Sequence, residues 1–231
     1  MFIAHARLAR AVSKAWRRRS QHDPYRRRAK AEGYRSRAAY KLKEIATRHG
    51  LIVHGDVVVD LGAAPGGWSQ VAKELVGPTG RVVGVDLANI AAMEGVTFVR
   101  GDLTKQETID EVLKILAKDA KGARVDVVIS DMSPQLTGNY TMDQANSVWL
   151  CEHAAAFARK VLDAGGRFLV KVFEGEDYAA FRDDLKKSFH TVKPYNPPAS
   201  RKQSSEIYLV ATGFKPARSP TLSGAAATPG P

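Results

Sequence analysis

The sequence predicts an α/β fold: a doubly wound, mostly parallel sheet with helices on both faces. Three observations predict it. Four apolar, β-branched runs each reach a carboxylate at or just past their carboxyl end: Val57 to Asp60, Arg81 to Asp86, Val96 to Asp102 and Val125 to Asp131. Segments of helical periodicity separate the runs, which calls for crossovers between parallel strands. The first run passes through Gly62-Ala63-Ala64-Pro65-Gly66-Gly67-Trp68 and opens toward a helix, the form of a cofactor-binding strand-to-helix turn.

The elements follow in chain order. Ser36 is placed as the N-cap of a helix over Arg37 to Ala46, where Ala38, Leu42, Ile45 and Ala46 share a face, and Gly50 ends it. The glycine turn after the first strand is not G-x-G-x-x-G, so a pyrophosphate cofactor does not fit it, and an ordinary glycine-rich turn is the alternative to a ligand site. Asp86 lies about 20 residues beyond the turn, the spacing at which an acid meets a ribose hydroxyl. The four terminal acids would face one crevice outside the strand ends, although each alone also suits a helix cap or turn. Helical patterns cover residues 69–75, 108–117, 142–162 and 178–189, and late strands cover 166–173 and 206–211.

Lys171 interrupts the apolar strand Phe168-Leu169-Val170-Lys171-Val172-Phe173. Burial disfavours an ammonium, and a neutral amine is what a lysine base requires; a strand end already in water is the alternative.

The chain of 231 residues is 44% hydrophobic, enough for one α/β core, and no apolar stretch reaches membrane-spanning length. Cys151 is the only cysteine, which excludes a disulfide framework. The histidines show no metal-ligand spacing with it, so no metal is expected, and Cys151 itself reads as a small buried hydrophobe. Net charge is +11, but residues 1–43 hold 14 Lys and Arg against Asp23 and Glu32, and the remainder is nearly neutral. The clusters Arg17-Arg18-Arg19 and Arg26-Arg27-Arg28, among Trp16, Tyr25 and Tyr34, combine phosphate neutralisation with base stacking. A solvated helix face and a transit peptide are the competing readings. After Pro216 the Pro, Ala, Ser and Gly content leaves too little apolar density to fold.

Five segments carry a resemblance. Tyr34 to Leu42, Asp60 to Gln70, Ser130 to Pro134, Leu169 to Gly175 and Ser200 to Glu206 resemble, in order and spacing, the FtsJ/RrmJ (RlmE) family of ribosomal RNA 2′-O-ribose methyltransferases, over roughly residues 16–215. The resemblance implies a Rossmann-like fold, S-adenosylmethionine as cofactor and a catalytic tetrad of Lys41, Asp131, Lys171 and Glu206. It places cofactor contacts on Gly66, Trp68, Asp86, Asp102 and Asp131. The implied substrate is large-subunit ribosomal RNA, naked or in the assembled subunit, with a uridine in the peptidyl-transferase region as the target. Ser133 stands where the bacterial form has Ala, and the Arg-rich arm and the Ser200 to Ser205 wording resemble archaeal members. The expected organisation is a basic arm at 1–33, a methyltransferase domain at 34–215 and a disordered tail at 216–231, in a cytoplasmic monomer without a membrane partner. A small-molecule methyltransferase and a non-catalytic RNA-binding factor on this fold are the alternatives; the basic arm disfavours the first and the complete tetrad disfavours the second.

Overall fold

A computed structural model describes residues 23–118, 125–200 and 205–216. The expected arm cluster at Arg17 to Arg19, the motif residues Arg201 to Ser204 and nearly all of the tail lie outside the described residues.

The helices are α1 (Pro24–Ala31), α2 (Ala39–His49), α3 (Gly67–Val76), α4 (Gln106–Ala117), α5 (Tyr140–Val161) and α6 (Tyr178–Ser188). The strands are β1 (Val57–Leu61), β2 (Arg81–Asp86), β3 (Val96–Arg100), β4 (Val125–Ser130), β5 (Leu162–Phe173), β6 (Phe189–Tyr195) and β7 (Glu206–Phe214). They form one sheet in the order β3-β2-β1-β4-β5-β7-β6, parallel except that β7 runs against both β5 and β6. The doubly wound, mostly parallel sheet predicted from sequence is the one found.

The alternation of side chains along each strand divides the core into two layers. Val57, Val59 and Leu61 pack with Leu116 of α4, Phe157 of α5 and Leu185 of α6. Val58 faces the other way, toward Leu42 and Ile45 of α2 and Val71 of α3. A strand covered on both faces buries its residues on both sides, which is why β1 reads as a Val-rich run, interrupted only by the buried Asp60, rather than an alternating one. Each buried Val or Leu contributes about 1.5–3 kcal/mol, and this fixes the register that places the strand ends.

Three local expectations change. Ser36 is not the N-cap of α2: Ala38 holds that position and caps nothing with its side chain, because the Ser36 hydroxyl is packed over the backbone of Gly67, where any Cβ would collide with it. The basic segment contains α1, whose N-cap Asp23 accepts hydrogen bonds from the amides of Tyr25 (3.1 Å) and Arg26 (3.3 Å) and whose Ala29 packs with Tyr40 and Ala199. β6 was not expected; it is a half-exposed strand at the sheet edge, where Pro194 removes no needed donor.

Gly62, at φ +77°, turns the chain out of β1, and a Cβ there would lie 2.6 Å from Met132 Cγ and 3.0 Å from its backbone. Gly62→Ala is therefore expected to destabilise the protein by about 1–3 kcal/mol, read from the midpoint of urea unfolding at unchanged slope. A midpoint equal to that of the parent would show that the turn relaxes freely.

Candidate active site

Parallel strands deliver their carboxyl ends to one edge of the sheet, and the antiparallel β7 delivers its amino end to the same edge. Alternation then selects which side chains meet there. On β5, Leu169 belongs to the α2 and α3 layer, so Lys171, two residues on, extends that column past the apolar core. On β7, Tyr208 and Val210 face the same layer, and Glu206 stands one step beyond them. Lys171 is paired in register with Tyr208, and Phe173 with Glu206. Lys41 comes down from the first turn of α2, next to Leu42, which anchors that helix in the same layer.

The four residues expected as a tetrad do converge. Lys171 Nζ lies 3.0 Å from Asp131 Oδ1 and donates to the Asp131 carbonyl at 2.8 Å. Lys41 Nζ lies 3.0 Å from Glu206 Oε2. The two pairs are joined by a residue that sequence reading missed: the Tyr208 hydroxyl accepts from Lys41 Nζ (3.2 Å) and donates to Asp131 Oδ1 (3.0 Å). Burial raises the Tyr208 hydroxyl well above its ordinary pKa, and the nearby Asp131 and Glu206 carboxylates add to this, so it remains a neutral donor and acceptor. Its period-two spacing from Glu206 was the available signal.

The acids expected at the crevice are arranged less uniformly. Asp86 accepts from the amides of Ala64 (2.9 Å) and Ala88 (2.8 Å), so it pins the glycine turn. Asp102 accepts from the Thr104 amide (2.9 Å) and hydroxyl (2.8 Å), and these bonds hold its carboxyl below the usual range. Both are turn residues as well as crevice acids; a carboxylate oxygen that accepts one hydrogen bond still has acceptor capacity for a ribose hydroxyl. Trp68 differs from a ligand-facing residue, since its ring is buried beside Tyr208 and its indole N–H donates to the Ala38 carbonyl at 2.8 Å. Cys151 is buried, donates to the Lys171 carbonyl and has its thiol pushed up to about 12 by desolvation, consistent with an inert core position.

The glycine turn has the shape of a cradle. Gly66 has φ +107°, and a Cβ on it would lie 2.9 Å from the Arg35 guanidinium. Arg35 donates to the carbonyls of Ala91 (2.7 Å) and Ala92 (2.8 Å) and reaches that of Pro65 at 3.4 Å, binding the turn to the chain after Asp86. Beneath it, Asp60 is fully buried, with Oδ2 bonded to the Ser69 hydroxyl (2.6 Å) and Oδ1 without a partner. A glycine turn, flanking acids and an unsatisfied buried carboxyl oxygen suit a cationic, ribose-bearing cofactor such as S-adenosylmethionine.

The family model described as FtsJ-like methyltransferase matches residues 34–214. The chain belongs to the FtsJ-like methyltransferase family. Ribosomal RNA large subunit methyltransferase E of Azoarcus sp. is 49% identical over 88% of this chain and 98% of its own length. The protein of the same name from Acinetobacter baumannii is 45% identical over 93% and 97%. Both relatives are bacterial. A crystal structure titled a ribosomal RNA methyltransferase, from Plasmodium falciparum, superposes with a TM-score of 0.69 at 29% identity, covering 78% of this chain and 98% of that one. Human methyltransferase-like protein 13, solved with S-adenosylhomocysteine, shares the fold at TM-score 0.52 and 11% identity, over 77% and 83% of the two chains. This FtsJ-like protein is an RNA methyltransferase that uses S-adenosylmethionine.

Desolvation raises the Asp60 carboxyl from its ordinary 3.8 to about 7, with Asp131 and Asp86 adding to the shift and Ser69 opposing it. The folded protein therefore holds this proton more tightly than the unfolded chain does. That contribution to stability is full below about pH 4 and is lost as pH rises through about 7. Asp60→Asn, which cannot ionise, should gain in melting temperature relative to the parent on going from about pH 5 to about pH 8. A difference that does not change with pH would show that Asp60 titrates normally.

Proposed function

We propose that the protein methylates a ribose 2′-hydroxyl of large-subunit ribosomal RNA, with Lys171 as the residue that receives the hydroxyl proton. The observation that carries this reading is the convergence of Lys41, Asp131, Lys171 and Glu206 at the strand ends beside the glycine turn. The names of the Azoarcus and Acinetobacter relatives support the large subunit as substrate. A uridine of the peptidyl-transferase region remains the expected target through the family resemblance, presented on protein-free RNA or in the assembled subunit.

When bound, S-adenosylmethionine supplies an electrophilic methyl group, and the remaining work falls to the chain. Gly66 would let backbone approach the cofactor's amino-acid end, while Asp86 and Asp102 would supply carboxylate oxygens to its ribose and adenine. Asp131 holds Lys171 Nζ from two sides, through its carboxylate and its own carbonyl, so the nitrogen is fixed in direction. A 2′-hydroxyl placed in line with the methyl group would meet Lys171 in its neutral amine form, which orients the hydroxyl and takes its proton, becoming an ammonium, as the C–O bond forms and the methyl–sulfur bond breaks to leave S-adenosylhomocysteine. Lys41, paired with Glu206, bonds the Tyr208 hydroxyl, which in turn holds Asp131 in place.

The basic segment is proposed as the RNA-binding footprint. Its described portion, α1, packs through Ala29 against Tyr40, on the helix that carries Lys41. Among the described residues no helix is long and apolar enough to cross a membrane.

The reading is tested by methyl transfer from labelled S-adenosylmethionine to large ribosomal subunits. Lys171→Ala is expected to lower kcat by about 10²-fold or more, the scale of a lost general base, while calorimetric affinity for S-adenosylmethionine stays within about twofold. Retention of most of the turnover would remove Lys171 from the proton-accepting role.

A further inference from the structure

Away from the strand ends, α5 and α6 enclose a groove of about 390 Å³. Its floor is Val148 and Phe181, both buried, and its wall is Trp149, which is 49% exposed although it is among the most costly side chains to leave in water. The Trp149 ring lies 4.2 Å from that of His153, centroid to centroid, which holds the indole upright. Glu152, Asp177 and Asp184 also line the groove. Asp184 is held by Arg159 (2.5 Å) and Lys187 (3.2 Å), but among the described residues Glu152 and Asp177 make no ion pair. An apolar, aromatic and acidic groove thus stands on a chain of net charge +11.

We propose that this groove docks a Lys- and Arg-rich segment of a protein of the large ribosomal subunit, one cationic side chain lying over Trp149 with its charge near Glu152 and Asp177. The inference rests on the large-subunit reading above. Charge decides the class of partner. Carboxylates without partners repel the phosphates of RNA, so the groove is unsuited to the nucleic acid that the basic face attracts. A protein segment that lies against ribosomal RNA carries Lys and Arg to neutralise phosphates, and the same side chains complement an acidic, aromatic groove through ion pairing and cation–π contact. Two surfaces of opposite sign then engage the two components of one particle, which orients the enzyme as well as binding it.

The test compares the parent with Trp149→Ala and with the pair Glu152→Gln, Asp177→Asn, none of which touches the catalytic crevice. For large subunits, KM is expected to rise about fivefold or more in both variants at unchanged kcat, while affinity for protein-free large-subunit RNA stays within about twofold. An unchanged KM would overturn the proposal, and so would a parallel loss of affinity for protein-free RNA, which would make the groove an RNA contact. Should the parent fail to methylate subunits, the failure belongs to the substrate assignment. The groove is then read by titrating the full chain with a synthetic (Lys-Arg)4 peptide: weaker binding by both variants supports it, and equal binding by all three refutes it.

Discussion

Two lysine amino groups in the interior are the constraint on which the site depends. Lys41 is 9% and Lys171 5% exposed, and an ammonium withdrawn from water is strongly unfavourable unless hydrogen-bonded counter-charges replace its hydration. The fold provides those counter-charges from two different strands. Asp131 follows β4 directly, and Glu206 opens β7, the strand that reverses direction to bring its amino end to the edge where β4 and β5 finish. Were β7 parallel, Glu206 would lie at the opposite edge of the sheet, and Lys41 would have no partner from this strand. Tyr208 completes the arrangement by joining both pairs through one hydroxyl, which accepts from Lys41 and donates to the Asp131 carboxylate. Such a network is over-determined, and that is how a reactive amine is held to a fixed direction.

The supports of the glycine turn are made largely from backbone. Asp86 is tied to the Ala64 amide, Arg35 to three carbonyls on either side of the crevice, and Gln70 receives the Arg35 amide at 2.7 Å. The segment leading into α2, and with it Lys41, is therefore fastened to the glycine turn. The lysine cluster and the glycine turn are held to one frame rather than to two independent loops.

Much of this was legible in the sequence because it follows from periodicity. The strands covered on both faces announce themselves as Val-rich runs, and the acids at their ends fall where a parallel sheet exposes them. The juxtaposition of Lys41 with Glu206, 165 residues apart, was not recoverable from spacing and came from the family resemblance alone. Tyr208 was passed over because a Tyr in an apolar strand reads as core, and its ring is core; only its hydroxyl belongs to the site. α1 had its signal in Asp23-Pro24, an N-cap followed by Pro at the first helical position, but the arginines after it drew the reading toward charge. Trp68 shows the reverse: a motif residue whose side chain serves the scaffold beneath the turn.

The central claim is that the crevice delivers a methyl group to a ribose oxygen, and the chemistry of the product tests it most directly. A 2′-O-methyl group removes the nucleophile that alkali uses to cleave the adjoining phosphodiester, whereas a methyl group on a base leaves that cleavage intact. Large subunits methylated with tritiated S-adenosylmethionine should, after complete alkaline hydrolysis, retain the label in a resistant dinucleotide. Label recovered in mononucleotides would place the methyl group on a base and contradict the account.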